Sequence, residues 1–135
     1  MTQVLTTRGV RAALKAAVAA GLLLLSSAVL ADLSNKWRLE LSGDAESSGA
    51  IVLRITPKGG TPIDATINVA KHTGENSVAQ AVVLGLRAQL PPDAYHVERD
   101  DGEDVLIKKK DGAADFSVTV VSNTLKGVRI NPDKE

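Results

Sequence analysis

Ile63-Asp64-Ala65-Thr66-Ile67-Asn68-Val69 and, a short loop later, Ser77-Val78-Ala79-Gln80-Ala81-Val82-Val83-Leu84-Gly85-Leu86-Arg87-Ala88-Gln89-Leu90-Pro91-Pro92 decide the fold. In the first stretch apolar and polar residues alternate, the period of a half-buried strand. In the second, Val78, Val82, Leu86 and Leu90 lie four apart, and Ala79 and Val83 fill the same stripe, which is one face of a helix. The pattern predicts a helix over 77–90. Asn76 and Ser77 mark its start, and Ser77 and Gln80 have the spacing of a capping box. Glu75 is placed to complement the helix dipole, and Pro91-Pro92 cannot continue the ladder. Gly85 costs about 1 kcal/mol against Ala inside a helix, so its presence points to close packing on a sheet.

On either side the period is two. Trp37-Arg38-Leu39-Glu40-Leu41 and Ile51-Val52-Leu53-Arg54-Ile55-Thr56 read as strands, separated by a polar loop over 43–49. The turn formers of 57–62 join the second strand to the third as a hairpin. Beyond the helix, Tyr95-His96-Val97-Glu98, Val105-Leu106-Ile107-Lys108 and Phe116-Ser117-Val118-Thr119-Val120-Val121 are strands, and Val128-Arg129-Ile130 is a short last one. Asp100-Asp101-Gly102 and Lys110-Asp111-Gly112 are turns between them. The order is β-β-β-α-β-β-β(-β), the last strand being the short one. The class is α+β, with a mainly antiparallel sheet of six or seven strands packed on one central helix. One face of nearly every strand is apolar. Six strands about 4.8 Å apart span roughly 25–30 Å, whereas one helix is only about 10–12 Å across. The sheet must therefore curl or split to cover itself, or else leave an apolar face for a protein partner or a second copy in a homodimer.

The first 31 residues have the three parts of a cleavable signal peptide. Arg8, Arg11 and Lys15 form a basic start, residues 16–30 an unbroken apolar or small run, and Val29-Leu30-Ala31 a small-residue site before Asp32. The run is shorter than the roughly 20 residues of a membrane span. The expected domains are a signal peptide over 1–31 and a single small domain over 32–135, with no membrane association after cleavage. The expected location is the bacterial periplasm or the medium outside the cell.

Three of the 16 basic residues precede Asp32 and none of the 16 acidic ones does, so 32–135 carries a net charge of −3. That mild acidity, with interspersed signs, argues against nucleic-acid binding. There is no Cys, and Trp37, Tyr95 and Phe116 are the only aromatics. The core is aliphatic, and no ring-lined sugar or peptide groove is expected.

The chain offers little recognisable chemistry. His72 and His96 are its only imidazoles, and no Ser lies in a Gly-x-Ser-x-Gly elbow. Two His without Cys fall short of a zinc ligand set. The loop 71–76 lacks a phosphate-binding fingerprint, and Glu75 opposes an anion there. The sharpest cluster is Asp100, Asp101, Glu103 and Asp104, a candidate for calcium, although its spacing is not that of an EF-hand. As an Asp-Gly turn it reads first as a hairpin. Lys108-Lys109-Lys110 balances those acids or blunts an edge strand. Thr61 to Val69 followed by Thr73-Gly74-Glu75-Asn76-Ser77-Val78-Ala79-Gln80-Ala81-Val82 and a return strand resembles the strand–helix–strand modules of some flagellar hook and phage tail proteins.

These features point to an exported, non-enzymatic accessory, adaptor or assembly module without a cofactor. The alternatives are a small hydrolase or lyase built on His96, Glu98 and a further acid, and a calcium-dependent binding domain using the acidic turn.

Overall fold

The computed structural model describes residues 32–135; the segment read as a signal peptide lies outside them. The elements are β1 (Lys36–Ser42), β2 (Gly49–Pro57), β3 (Ile63–Val69), α1 (Glu75–Gln89), β4 (Tyr95–Asp100), β5 (Asp104–Lys109), β6 (Phe116–Asn123) and β7 (Arg129–Lys134). The order and class are those the periodicities predict. The seven strands split into two antiparallel sheets, β3-β2-β6 and β4-β5-β1-β7. The turn over 57–62 closes the β2–β3 hairpin and the acidic turn closes β4–β5. The turn at 110–112 closes none: β5 and β6 lie in different sheets, and so do β1 and β2.

Splitting resolves the coverage problem. Trp37, Leu39 and Leu41 of β1, Ile51, Leu53 and Ile55 of β2, and Val105 and Ile107 of β5 are buried in one core with Val78, Val82, Val83 and Leu86 of α1. The Trp37 indole N–H donates to the Phe116 carbonyl across the sheets at 2.9 Å. Tyr95 stands edge-on to the Phe116 ring with centroids 5.1 Å apart. Among the described residues the large apolar side chains left exposed are Leu84 and Val121. No helix among them is long and apolar enough to cross a membrane.

α1 takes the place of a strand between β3 and β4, each the edge of its sheet. On one side the Gln89 amide pairs with the β3 backbone, accepting from the Thr66 N–H and donating to the Thr66 carbonyl, both at 2.9 Å. On the other, Arg87 Nε donates to the Val97 carbonyl of β4 at 2.9 Å. Side chains thus satisfy edge groups that would otherwise invite another chain. Gly85 is the close-packed position its sequence context implies, since a Cβ there would lie 2.7 Å from Ile67 Cγ1.

The capping box does not form. α1 begins at Glu75, behind the N-cap Gly74, so Ser77 is already inside the first turn. The cap comes instead from the β1–β2 loop. Asp44 Oδ1 accepts from the Glu75 N–H at 2.8 Å, and Glu75 Oε2 accepts from the Gly43 N–H at 2.7 Å. This reciprocal pair does across the fold what a capping box does locally. The same loop, expected to be merely polar, joins three segments. His72 N–H donates to the Ala45 carbonyl at 2.7 Å, Ala45 N–H to Thr73 at 2.9 Å, and Glu46 N–H to Lys126 at 2.9 Å. Ala45 is buried. Gly43 and Gly127 touch backbone to backbone at φ +88° and +85°, leaving no room for a Cβ at Gly43 against the Gly127 carbonyl.

Candidate functional site

The outward face of β4-β5-β1-β7 carries most of the chain's clustered charge. Antiparallel register lines these side chains up in rows across the strands. His96 pairs with Lys108, and Lys108 with Lys36, giving a basic row. Two residues along, Glu98, Leu106, Arg38 and Asp133 form a mixed row. Two further on, Asp100, Asp104, Glu40 and Asn131 form an acidic one. Leu106 stands in the mixed outward row yet is buried.

The acidic turn supplies part of the third row. Asp100 and Asp104 face each other across β4 and β5, and Arg38 Nη1 donates to an oxygen of each at 3.0 Å. Arg38 Nε donates to Glu135 at 2.5 Å. The bond to Glu135, then that to Asp100, raises the Arg38 pKa, and Arg38 in turn holds the Glu135 carboxyl below its usual range. A guanidinium therefore sits where Asp100 and Asp104 converge. Asp101 is exposed at φ +48° in the turn, and its carbonyl accepts from the Glu103 N–H at 3.0 Å. Glu103 lines a depression of about 360 Å³ together with Glu40, Asp104 and Arg129. Among the described residues no three His, Cys, Asp or Glu side chains are grouped to hold a metal ion.

The basic row is served in the same way, by one group for two of its three members. Glu98 alone serves two of its members, accepting from Lys108 Nζ at 2.9 Å and meeting His96 Nε2 at 3.2 Å. Lys108, then His96, lowers the Glu98 pKa. Lys109 turns to Asp115 at 3.1 Å. Lys36 lies beside Glu135 and helps to lower the pKa of that carboxyl, while Lys110 makes no ion pair among the described residues. A depression of about 330 Å³ opens among Lys36, Lys108, Lys109, Lys110 and Asn35. A second, of about 260 Å³, shares Lys110 and is lined by Arg87, Leu90, Pro92, Tyr95 and His96. It holds an imidazole but no carboxylate. His72 lies apart, in the loop held by Ala45. No Ser or Thr hydroxyl bonds to either histidine among the described residues.

Sequence reasoning singled out the acidic turn and the lysine run but not the rows, whose members come from three strands. No protein-family model matches this chain, and no curated protein sequence matches it.

Proposed function

We propose that residues 32–135 form an exported, non-enzymatic module, an accessory, adaptor or assembly subunit of the periplasm or the extracellular medium, that docks onto an anionic partner through its basic row. One observation carries the reading: His96, Lys108 and Lys36 stand in register on one face, with Glu98 shared between the first two and Glu135, itself bound to Arg38, beside the third. Like charges directly opposite one another on neighbouring strands lower stability. A row that costs folding free energy is accounted for by a ligand that neutralises it, and such rows also steer oppositely charged partners. The basic start and apolar run of residues 1–31 support export.

A fluorescent oligoglutamate peptide titrated at low ionic strength tests the docking. Binding is expected to weaken at least about tenfold when salt rises or when Lys36→Glu and Lys110→Glu are combined, since charge pairing dominates it. Binding indifferent to both would refute the reading. Intact mass of the exported protein tests the rest: it should begin at Asp32, and a mass retaining residues 1–31 would overturn cleavage.

A further inference from the structure

The same face carries its own complement. The basic and acidic rows lie four residues apart along the strands, about 13 Å, with the mixed row midway between them. We propose that the anionic partner of the basic row is the acidic row of a second copy of this chain, so that two molecules stack their β4-β5-β1-β7 faces about a two-fold axis along the mixed row. This rests on the reading of the basic row as a docking element, and it names the partner.

Rotation about that axis reverses the strand direction while preserving position across the sheet. Lys108 then meets Asp104, Lys36 meets Glu40, and His96 meets Asp100, each pair reciprocated because the interface is isologous. Lys110, beyond the basic row, lies over the partner's turn containing Asp101 and Glu103. Residues on the axis meet their own copies: Arg38, held by Asp100, Asp104 and Glu135, Glu98, held by Lys108, the buried Leu106, and Asp133, whose like charge opposes the contact. The face offers no exposed large apolar side chain, because Leu106 is covered. Four strands of about six residues give roughly 400 Å² of flat face per copy, half the roughly 800 Å² per partner of a standard stable interface. The dimer is therefore concentration-dependent and salt-sensitive, held by charge rather than by apolar burial.

Sedimentation velocity of the mature protein at about 0.01 M and about 1 M salt reads this directly, the Debye length falling from about 30 Å to about 3 Å. At low salt the weight-average sedimentation coefficient should rise with concentration toward that of twice the mass, and at high salt it should stay monomeric. Two charge-reversed proteins sharpen the test: Lys36→Glu with Lys110→Glu, and Glu40→Lys with Glu103→Lys. None of these four side chains makes an ion pair within the described residues, so both variants should keep the wild-type circular dichroism. Each alone should be monomeric, and an equimolar mixture should associate. A wild type that stays monomeric at every concentration in low salt, or a mixture of folded variants that does not associate, overturns the second-copy proposal. If such a monomer still binds oligoglutamate in a Lys36- and Lys110-dependent way, the basic row remains a docking element for another anion. If it does not, that reading falls too.

Discussion

Replacing Gly85 with Ala sets two effects of opposite sign against each other. In a helix interior the exchange favours folding by about 1 kcal/mol. Here the added Cβ would lie 2.7 Å from Ile67 Cγ1, where ordinary contact begins at 3.4 Å. Ile67 is only 3% exposed and has nowhere to go without moving β3 against α1. Overpacking of this kind costs about 1–3 kcal/mol, so Gly85→Ala should be net destabilising by about 1 kcal/mol. The sign should reverse once Ile67 is cut back. Ile67→Ala alone costs about 2–5 kcal/mol through the cavity it leaves, but it removes Cγ1 and leaves only the Ile67 Cβ position, 3.6 Å away. In that background Gly85→Ala should stabilise by about 1 kcal/mol, a coupling of about 2 kcal/mol in a double-mutant cycle. Urea unfolding followed by the fluorescence of Trp37, the only tryptophan and a buried one, gives all four stabilities. If Gly85→Ala stabilises the wild type, or changes both backgrounds equally, α1 is not seated on Ile67 and the reasoning fails.

Val82→Asp should cost more than about 4 kcal/mol, since it places an unpaired carboxylate at a fully buried position, whereas Leu84→Asp, at a site 56% exposed, should stay within about 0.5 kcal/mol. Equal melting temperatures for the two would mean that the wrong face of α1 is buried. Millimolar calcium should leave the melting temperature unchanged, because Arg38 occupies the meeting point of Asp100 and Asp104; saturation at 100 times a dissociation constant would add about 2.7 kcal/mol and be plain in a thermal scan. Acid should destabilise. Glu98, Glu135 and Asp64 have pKa values lowered by Lys108, Arg38 and Arg54 respectively, so the unfolded chain binds more protons. That stability is complete above the ordinary carboxylate range and is lost as pH falls through the lowered values, below about pH 4. A melting temperature that rose on acidification from pH 5 to pH 3 would contradict the pairings, and Glu98→Gln should flatten the acid slope.

Local period was enough to read the elements, because it is a property of one segment at a time. The strand 63–69 and the stop at Pro91 follow from residues a few positions apart. What the period cannot show is which strand lies beside which. Nothing in Trp37-Arg38-Leu39 says that β1 pairs with β5 and β7 rather than with β2, so the division into two sheets was legible only as one of several ways to cover an oversized apolar face. The candidate site divided in the same way. Four carboxylates in one turn are visible in the sequence, but the arginine that bridges two of them stands on another strand. The basic row, assembled from His96, Lys108 and Lys36, is a product of register. The local pattern places the start of α1 at Ser77 rather than Glu75, because its cap, Asp44, lies in a distant loop.

That distant cap bears on the sequence of events in folding. α1 has a glycine in its interior and draws its N-terminal partner from the β1–β2 loop, so a nascent helix has little to hold it before it docks against that loop. β1 waits longer still. Its neighbours on both sides come from later in the chain, and Trp37 is paired with Lys134. A topology this rich in long separations closes slowly, and the four-stranded layer cannot assemble until the seventh strand has been made. A chain threaded from its N-terminus through any narrow passage would present no finished four-stranded layer until its last residues had entered.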